Sequence, residues 1–206
     1  MGQRSFNGLS LVTAPGRVMT PRAATEQLVG TALRRLGARR FRVVDVGTGS
    51  GAIAVAIAAA APQAEVWATD TSHAAVALAR LNVRRHGLED RVRVRHGDLL
   101  EPVPGPIDMI VANLPYLPGA SASEYPDLVA EPREAVFADG DGLEPYRRLL
   151  TASAEGLTDE GVLIFQLDRR VVVVGRSELT TVRRALENPL GAPIATYVPV
   201  LTRAAA

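Results

Sequence analysis

The chain has 206 residues, 47% of them hydrophobic, which suits one globular domain and leaves little room for a second core. Its 23 basic residues are all arginine and nearly balance 22 acidic ones, so the net charge of +1 excludes an electrostatic argument for broad binding to nucleic acid or acidic membranes. The lack of cysteine excludes disulfides and thiol chemistry, and without a signal pattern or a membrane-length apolar run we expect a cytoplasmic protein.

Patterns typical of helices and strands alternate along the chain. Apolar residues at helical spacing predict helices at 21–36, 51–61, 72–86, 142–156 and 177–187. β-branched or alternating runs predict strands at 41–46, 64–70, 91–98, 106–113, 161–168 and 194–203. The segment 169–177 fits either a longer fifth strand or a separate one. The alternation predicts an α/β fold with a doubly wound, mainly parallel sheet and helices on both faces.

We expect a single domain over residues 1–206, with a helical lead-in over 1–40, a core over 41–206 and no separate substrate-docking domain. The long loop 117–130 is either a lid over a site or irregular packing. The three histidines have no spacing typical of metal ligands, so we predict no metal site.

A glycine-rich turn, DVGTGSGA from Asp45 to Ala52, joins the strand at 41–46 to the next helix. Its glycines allow a tight turn that a ligand can approach closely. The pattern fits the dinucleotide fingerprint, and it also fits the D/E-x-G-x-G-x-G loop of class I methyltransferases, which bind S-adenosylmethionine. The acid at the start favours the second interpretation, and with it the seven-stranded, Rossmann-like sheet of that class. The predicted cofactor-binding residues here are Asp45, Gly47, Thr48, Gly49, Ser50 and Gly51.

Acidic residues also end the next two predicted strands. Asp70, followed by Thr71, lies where both cofactor families place a carboxylate that binds ribose, although an N-cap role is the alternative. Asp98 and Leu99 follow the third strand, where methyltransferases commonly bind the adenine amino group and cover the ring; a plain turn is the alternative. We predict that these four residues bind the cofactor.

The tetrapeptide Asn113-Leu114-Pro115-Tyr116 follows the fourth strand, and ligands of doubly wound sheets bind at such strand ends. An amide or aromatic amine is a poor nucleophile because its lone pair is delocalised, and two fixed acceptors can orient its N–H groups. We predict that Asn113 Oδ1 and the Leu114 carbonyl are these acceptors. Pro115 would keep Leu114 extended, and Tyr116 would pack on the substrate. Asn113 and Tyr116 are the predicted catalytic residues, in a reaction that depends on positioning in a desolvated site.

Three segments together resemble the HemK/PrmC family of protein-glutamine N5-methyltransferases, which modify the Gly-Gly-Gln loop of translation release factors. They are MTPRAATEQLV at 19–29, VVDVGTGSGAIAVAIA at 43–58 and EPREAVFADGDGLEPYRRLL at 131–150, of which the last is the most specific. The resemblance covers most of residues 19–167. It implies S-adenosylmethionine as the cofactor, with Asn113 contributing to its site, and a glutamine amide held by residues 113–116.

Arg22 and Glu131 lie in two of these segments and are predicted either to bind substrate or to tie two loops together by an ion pair. Leu114 replaces the first proline of the family's Asn-Pro-Pro-Tyr motif, and FQLDRR replaces its usual Glu-x-Gly segment after the fifth strand. About twenty residues precede the similarity, too few for the N-terminal helical domain of the bacterial members. Relatives without that domain act with a small partner protein, so the expected partners are a release factor and such a subunit.

Three other functions fit parts of the sequence. A small-molecule N-methyltransferase on the same scaffold would suit a chain without a docking domain. Asn-Leu-Pro-Tyr also occurs in rRNA adenine-N6 dimethyltransferases, although the near-neutral charge and the 131–150 stretch oppose RNA or DNA as substrate. The non-enzymatic alternative is a degenerate paralogue that serves as an interaction subunit, and the departure from the family motif at Leu114 is the reason to consider it.

Overall fold

The computed structural model describes residues 1–37, 39–128, 130–167 and 170–187. Its strands are β1 (Gly2–Phe6), β2 (Leu9–Thr13), β3 (Phe41–Val46), β4 (Ala64–Asp70), β5 (Val92–His96), β6 (Ile107–Ala112), β7 (Leu117–Pro118), β8 (Phe137–Ala138), β9 (Leu157–Leu167) and β10 (Arg170–Gly175). Its helices are α1 (Ala23–Arg35), α2 (Ala52–Ala60), α3 (His73–Arg85), α4 (Arg133–Val136), α5 (Glu144–Gly156) and α6 (Leu179–Leu186).

The central sheet has the strand order β10-β9-β6-β3-β4-β5. All neighbours pair in parallel except β10, which is antiparallel to β9. The chain runs outward from β3 to β5 and then crosses back to β6 on the other side of β3, so the strand order reverses between β3 and β6. This confirms the predicted α/β, doubly wound, mainly parallel fold. The segment 169–177 contains a separate strand, and the strand predicted at 194–203 lies outside the described residues.

Two apolar layers explain why the strand sequences are almost continuously hydrophobic. Val43, Met109 and Ile164 pack on one face of the sheet with α1, α2 and α3. Val44, Ile110 and Phe165 pack on the other face with α5 and α6. Because neighbouring residues of a strand point to opposite faces, both need apolar side chains.

The N-terminal residues correct one expectation. Residues 2–13 form an antiparallel hairpin, in which Gly2 pairs with Thr13 and Phe6 with Leu9, so the helical lead-in expected over 1–40 was wrong there. Asn7 and Gly8 turn the chain with φ of 49° and 76°, the positive values of a type I′ turn. An Asn-Gly pair is itself a sequence signal for such a hairpin.

One buried side chain joins this hairpin to the rest of the protein. Asn82 of α3 accepts a hydrogen bond from Val12 N at 2.8 Å. Its Nδ2 donates to Val12 O at 3.0 Å and to Ser50 O at 2.8 Å. All three contacts are buried, so Asn82 holds strand β2 and the glycine-rich turn in fixed positions.

The segment after β6 is more regular than a plain loop. β7 pairs in parallel with β8, and 3-10 turns cover Gly119–Glu124 and Pro126–Leu128. Leu117, Val136 and Phe137 form a small apolar cluster beside it. None of the helices in the described part of the chain has the length and apolar character that a membrane crossing requires.

Candidate active site

A cleft of about 300 Å³ lies beyond the carboxyl ends of β3 and β6, where the strand order reverses. Its volume is at the lower end of the range typical of small-molecule sites. The predicted residues that line it are Arg22, Gly47, Thr48, Gly49, Ser50, Asp70, Thr71, Asp98, Leu99, Asn113, Leu114 and Pro115. The predicted residues that do not line it are Asp45, Gly51, Tyr116 and Glu131.

The glycine-rich turn needs glycine for two kinds of close contact. Gly47 and Gly51 have φ of 69° and 80°, in the left-handed region. A Cβ on Gly47 would lie 2.6 Å from Leu114 Cδ2, and one on Gly51 would lie 3.1 Å from Ala79 Cα. Gly47 therefore lets the turn meet the segment after β6, and Gly51 lets α2 pack against α3.

Asp45 is fully buried beneath this turn. Its Oδ2 accepts hydrogen bonds from Thr48 Oγ1 at 2.6 Å and from Ala54 N at 3.1 Å, and its Oδ1 has no hydrogen-bond partner among the described residues. Burial raises the pKa of Asp45 to about 7, against the opposing effect of the hydrogen bonds from Thr48 and Ala54. Asp45 thus supports the turn from behind and does not line the cleft, and its predicted role in cofactor binding stays a prediction.

Asp70 fixes the opposite side of the turn from the end of β4. Its Oδ2 accepts from Gly49 N at 2.9 Å and its Oδ1 from Ser72 N at 2.8 Å. Burial raises the pKa of Asp70, and these backbone hydrogen bonds oppose the rise. The N-cap of α3 is Ser72, whose Oγ accepts from Ala75 N at 3.4 Å. Each carboxylate oxygen of Asp70 has further lone pairs, so the group can also accept hydrogen bonds from ligand hydroxyls.

Asp98 and Leu99 form the end of the cleft beyond β5. Asp98 Oδ2 accepts a hydrogen bond from Arg148 Nη2 of α5. Leu99 has a φ of 46°, and its carbonyl oxygen accepts from Thr69 Oγ1 at 2.8 Å. Arg148 also lines the cleft, and the sequence prediction did not include it.

Asn113 lies at the end of β6, and its side chain is oriented by α1. Its Nδ2 donates to Oγ1 of the buried Thr25 at 3.2 Å. Its Oδ1 has no hydrogen-bond partner in the part of the chain that the structure describes. The amide oxygen therefore has the capacity to accept a hydrogen bond, and its contact with a substrate amide stays a prediction.

Leu114 is held by the hydroxyl of Tyr146, a fully buried residue of α5. The hydroxyl oxygen lies 3.1 Å from Leu114 N, 2.9 Å from Leu114 O and 2.6 Å from Gln166 O. Burial raises the pKa of Tyr146 well above its usual range, so the hydroxyl keeps its proton. Neither Thr25 nor Tyr146 was singled out from the sequence, although both lie in segments that carry the family resemblance.

Glu131 ties two loops together. Its Oε2 accepts from Thr20 N at 3.0 Å, and its Oε1 lies 3.6 Å from Arg22 Nη2. Of the two predicted roles, the structure has the ion pair, and Arg22 lines the cleft as well. Tyr116 is half-buried between two apolar clusters, one of them formed with Leu117 and the other with Tyr146. Its ring supports the segment after β6 outside the lining of the cleft, where we had predicted a substrate contact.

Comparison with known proteins places the chain among methyltransferases. Residues 23–143 match the family model of the methyltransferase small domain. The release factor glutamine methyltransferase of Deinococcus radiodurans is 41% identical over 182 residues, which cover 87% of this chain and 64% of that protein. The ribosomal protein uL3 glutamine methyltransferase of Neisseria meningitidis is 36% identical over 155 residues, or 73% of this chain and 51% of that protein. The resemblance to glutamine methyltransferases is confirmed. The chain spans less than two thirds of the length of these relatives.

A solved structure supports the same fold. The ribosomal protein L11 methylase from Lactobacillus delbrueckii subsp. bulgaricus has a TM-score of 0.52 and 26% sequence identity to this chain. The match covers 71% of this chain and 61% of that one. The fold described above is therefore similar to that of a methylase of known structure.

Proposed function

We propose, starting from the fact that this chain belongs to the methyltransferase small domain family, that it is an S-adenosylmethionine-dependent N-methyltransferase acting on a glutamine side-chain amide of a protein. One observation carries the proposal: Asn113 and Leu114 line the same cleft as the glycine-rich turn, directly after the end of β6. The similarity to enzymes named for a release factor and for ribosomal protein uL3 favours a protein as the acceptor.

The cleft fits the proposed cofactor. Gly47 lets the turn pack directly on Leu114, which also lines the cleft, since a Cβ at this position would overlap the Leu114 side chain. Asp70 offers carboxylate oxygens to hydroxyl groups, and Leu99 offers an apolar surface to a ring. We assign Thr48 to Ser50, Asp70, Thr71, Asp98 and Leu99 to holding the cofactor, which supplies an electrophilic methyl group on a sulfonium sulfur.

The residues after β6 orient the acceptor nitrogen. A primary amide has two N–H groups, and we assign Asn113 Oδ1 to one and the Leu114 carbonyl to the other. Bonds to these two acceptors would hold the amide in one orientation and favour a pyramidal nitrogen, whose lone pair is then able to form the new bond to carbon as the carbon–sulfur bond of the cofactor breaks. The proton leaves the nitrogen after transfer, so the residues contribute positioning in a desolvated site and no strong base.

The test is transfer of a tritiated methyl group to two purified probes, a bacterial release factor and ribosomal protein uL3, with N5-methylglutamine identified by mass spectrometry. We expect the unmodified chain to label one of them. Asn113→Ala should lower kcat/KM at least about a hundredfold, because one fixed hydrogen-bonding group at a reacting centre contributes about 10²–10³ in rate.

Gln63→Ala is the matched control. Gln63 donates a hydrogen bond to Gly37 O at 2.6 Å and precedes β4, so its amide lies at the opposite end of the sheet from the cleft. This variant should keep the original activity. Equal labelling by Asn113→Ala would contradict the role given to Asn113. Cofactor binding in calorimetry without labelling of either probe would favour a small-molecule acceptor or the interaction subunit.

A further inference from the structure

The two residues that carry the proposed acceptor atoms are both held by hydroxyl groups from elements outside β6. We propose that Thr25 and Tyr146 are positioning residues of the acceptor site, Thr25 for the side-chain amide of Asn113 and Tyr146 for the backbone of Leu114. The inference deepens the proposed function and rests on it, since it concerns the same acceptor amide.

The NH₂ end of the Asn113 amide points towards Thr25 of α1. An asparagine amide has an accepting oxygen at one end and a donating NH₂ at the other, and only the oxygen can bind a substrate N–H. Asn113 Nδ2 donates to Thr25 Oγ1 at 3.2 Å, so the NH₂ faces α1 and the oxygen faces away from it.

The position of Thr25 is itself fixed. Thr25 N donates to Arg22 O at 3.0 Å at the start of α1, and Thr20 N is anchored on Glu131 at 3.0 Å. The segment that carries Thr25 is thus tied to the 131–150 stretch, residues of which also line the cleft. A hydroxyl in a fixed place can hold the side-chain amide in one orientation before the substrate arrives.

Tyr146 acts where two strands separate. The pairing of β6 with β9 ends at Ala112 and Phe165. Beyond it, the Tyr146 hydroxyl lies between Leu114 and Gln166, at 3.1 Å from Leu114 N and 2.6 Å from Gln166 O. The hydroxyl takes the place of the next backbone hydrogen bond, which lets residues 113–116 turn from the sheet towards the cleft.

The hydroxyl also leaves the Leu114 carbonyl able to accept. A tyrosine hydroxyl has one proton to donate, and it accepts the Leu114 N–H through a lone pair. Two carbonyl oxygens are within reach of its proton, and that of Gln166 at 2.6 Å is closer than that of Leu114 at 2.9 Å. Donation to Gln166 O holds Leu114 by its N–H and keeps its carbonyl oxygen for the substrate.

The test compares variants that remove only a hydroxyl. Thr25→Val and Tyr146→Phe remove the two positioning groups, and Thr25→Ser restores one. Thr31→Val is the control on α1, because the Thr31 hydroxyl bonds Gln27 O within the helix. Ser153→Ala is the control on α5, because its buried hydroxyl has no hydrogen-bond partner in the described chain. The measurements are kcat and KM with whichever probe, release factor or uL3, is labelled, S-adenosylmethionine affinity by calorimetry, and melting temperature.

We expect Thr25→Val and Tyr146→Phe each to lower kcat about tenfold, the rate equivalent of one hydrogen bond, with cofactor affinity unchanged within about twofold. Thr25→Ser and both controls should stay within about twofold of the original kcat. Unchanged kcat in Thr25→Val and Tyr146→Phe, or equal losses in Thr25→Ser and Thr25→Val, would overturn the inference. So would losses of kcat and cofactor affinity that follow the melting temperature in every variant. An unmodified chain that labels neither probe would instead refute the proposed function, and the inference with it.

Discussion

The two walls of the cleft are held by hydrogen bonds of different range. Those of the glycine-rich turn to Asp45 and Asp70 join residues 3, 9 and 21 positions apart. Those of Leu114, Asn113 and Glu131 join residues 32, 88 and 111 positions apart. In the first wall, which we assign to the cofactor, the glycine-rich turn is held within the unit β3-α2-β4, while Leu99 and Asp98 bond to residues 30 and 50 positions away. The second, which we assign to the acceptor, exists only once distant segments have met.

The largest effect on stability should come from substituting Asn82, which makes a long-range contact with the glycine-rich turn of the first wall. Asn82→Ala leaves Val12 N, Val12 O and Ser50 O without their partner. Orphaned buried groups cost about 1–3 kcal/mol each, so we expect the free energy of unfolding to fall by roughly 3–5 kcal/mol. Denaturant unfolding measures this, with the exposed Arg85→Ala on the same helix as the control. A loss below about 1 kcal/mol would show that the hairpin does not depend on this contact.

At Gly47 the first wall contacts Leu114 of the second wall, and we expect the added methyl group of Gly47→Ala to push these two segments apart. The left-handed conformation costs an alanine roughly 1–2 kcal/mol, and its Cβ would overlap the buried Leu114 side chain. We expect a destabilisation of about 2–3 kcal/mol and cofactor binding at least about tenfold weaker by calorimetry.

Gly87→Ala is the matched control, because Gly87 has a φ of 63° with nothing within 4 Å of its Cβ position. It should show the cost of the backbone conformation without the overlap. Equal effects of the two substitutions would mean that contact with Leu114 contributes nothing.

The buried carboxyl of Asp45 predicts a pH dependence of stability. Its folded pKa of about 7 lies above the ordinary value of 3.8, so the folded state holds its proton while the unfolded state ionises. Stability from this group is fully present below about pH 4 and is lost as the pH rises to about 7, at up to roughly 1.4 kcal/mol per unit.

Asp45→Asn cannot ionise and should flatten this dependence in denaturant unfolding between about pH 4 and 8. Asp127→Asn removes an exposed carboxyl and should retain the original slope. If Asp45→Asn kept the full slope, another group would be responsible for it.

The smallest effect should come from the loop tie at Glu131. Glu131→Gln keeps an oxygen that can accept from Thr20 N and removes only the ion pair with Arg22, whose side chain is 41% exposed. Such pairs contribute about 0–1 kcal/mol, so we expect unfolding free energy to fall by less than about 1 kcal/mol. We expect methyl transfer to stay within about threefold, because the loop keeps its hydrogen bond from Thr20 N and loses only a weak, half-exposed ion pair. A loss beyond about a hundredfold would instead support the substrate-binding role that the sequence left open.

The fold could be predicted from the sequence because the signals for helices, strands and the glycine-rich turn lie within short stretches of neighbouring residues. Helix and strand periods identified the elements of the central sheet, and the spacing of Gly47, Gly49 and Gly51 identified the turn against which a ligand can lie. The hairpin was missed despite the signal of Asn7-Gly8, because short polar strands lack a long periodic pattern. The direction in which Asp45 faces could not be predicted, since it depends on what packs above the strand.

The sequence by itself determined the alternation of elements and the glycine-rich turn, because helix period, strand period and positive φ are properties of neighbouring residues. Only the tertiary structure decided that Thr25 meets Asn113 and that Tyr146 meets Leu114. A hydroxyl has no sequence preference for a distant partner, and its hydrogen bond depends on which atoms the packing of α1 and α5 around the end of β6 brings within about 3 Å.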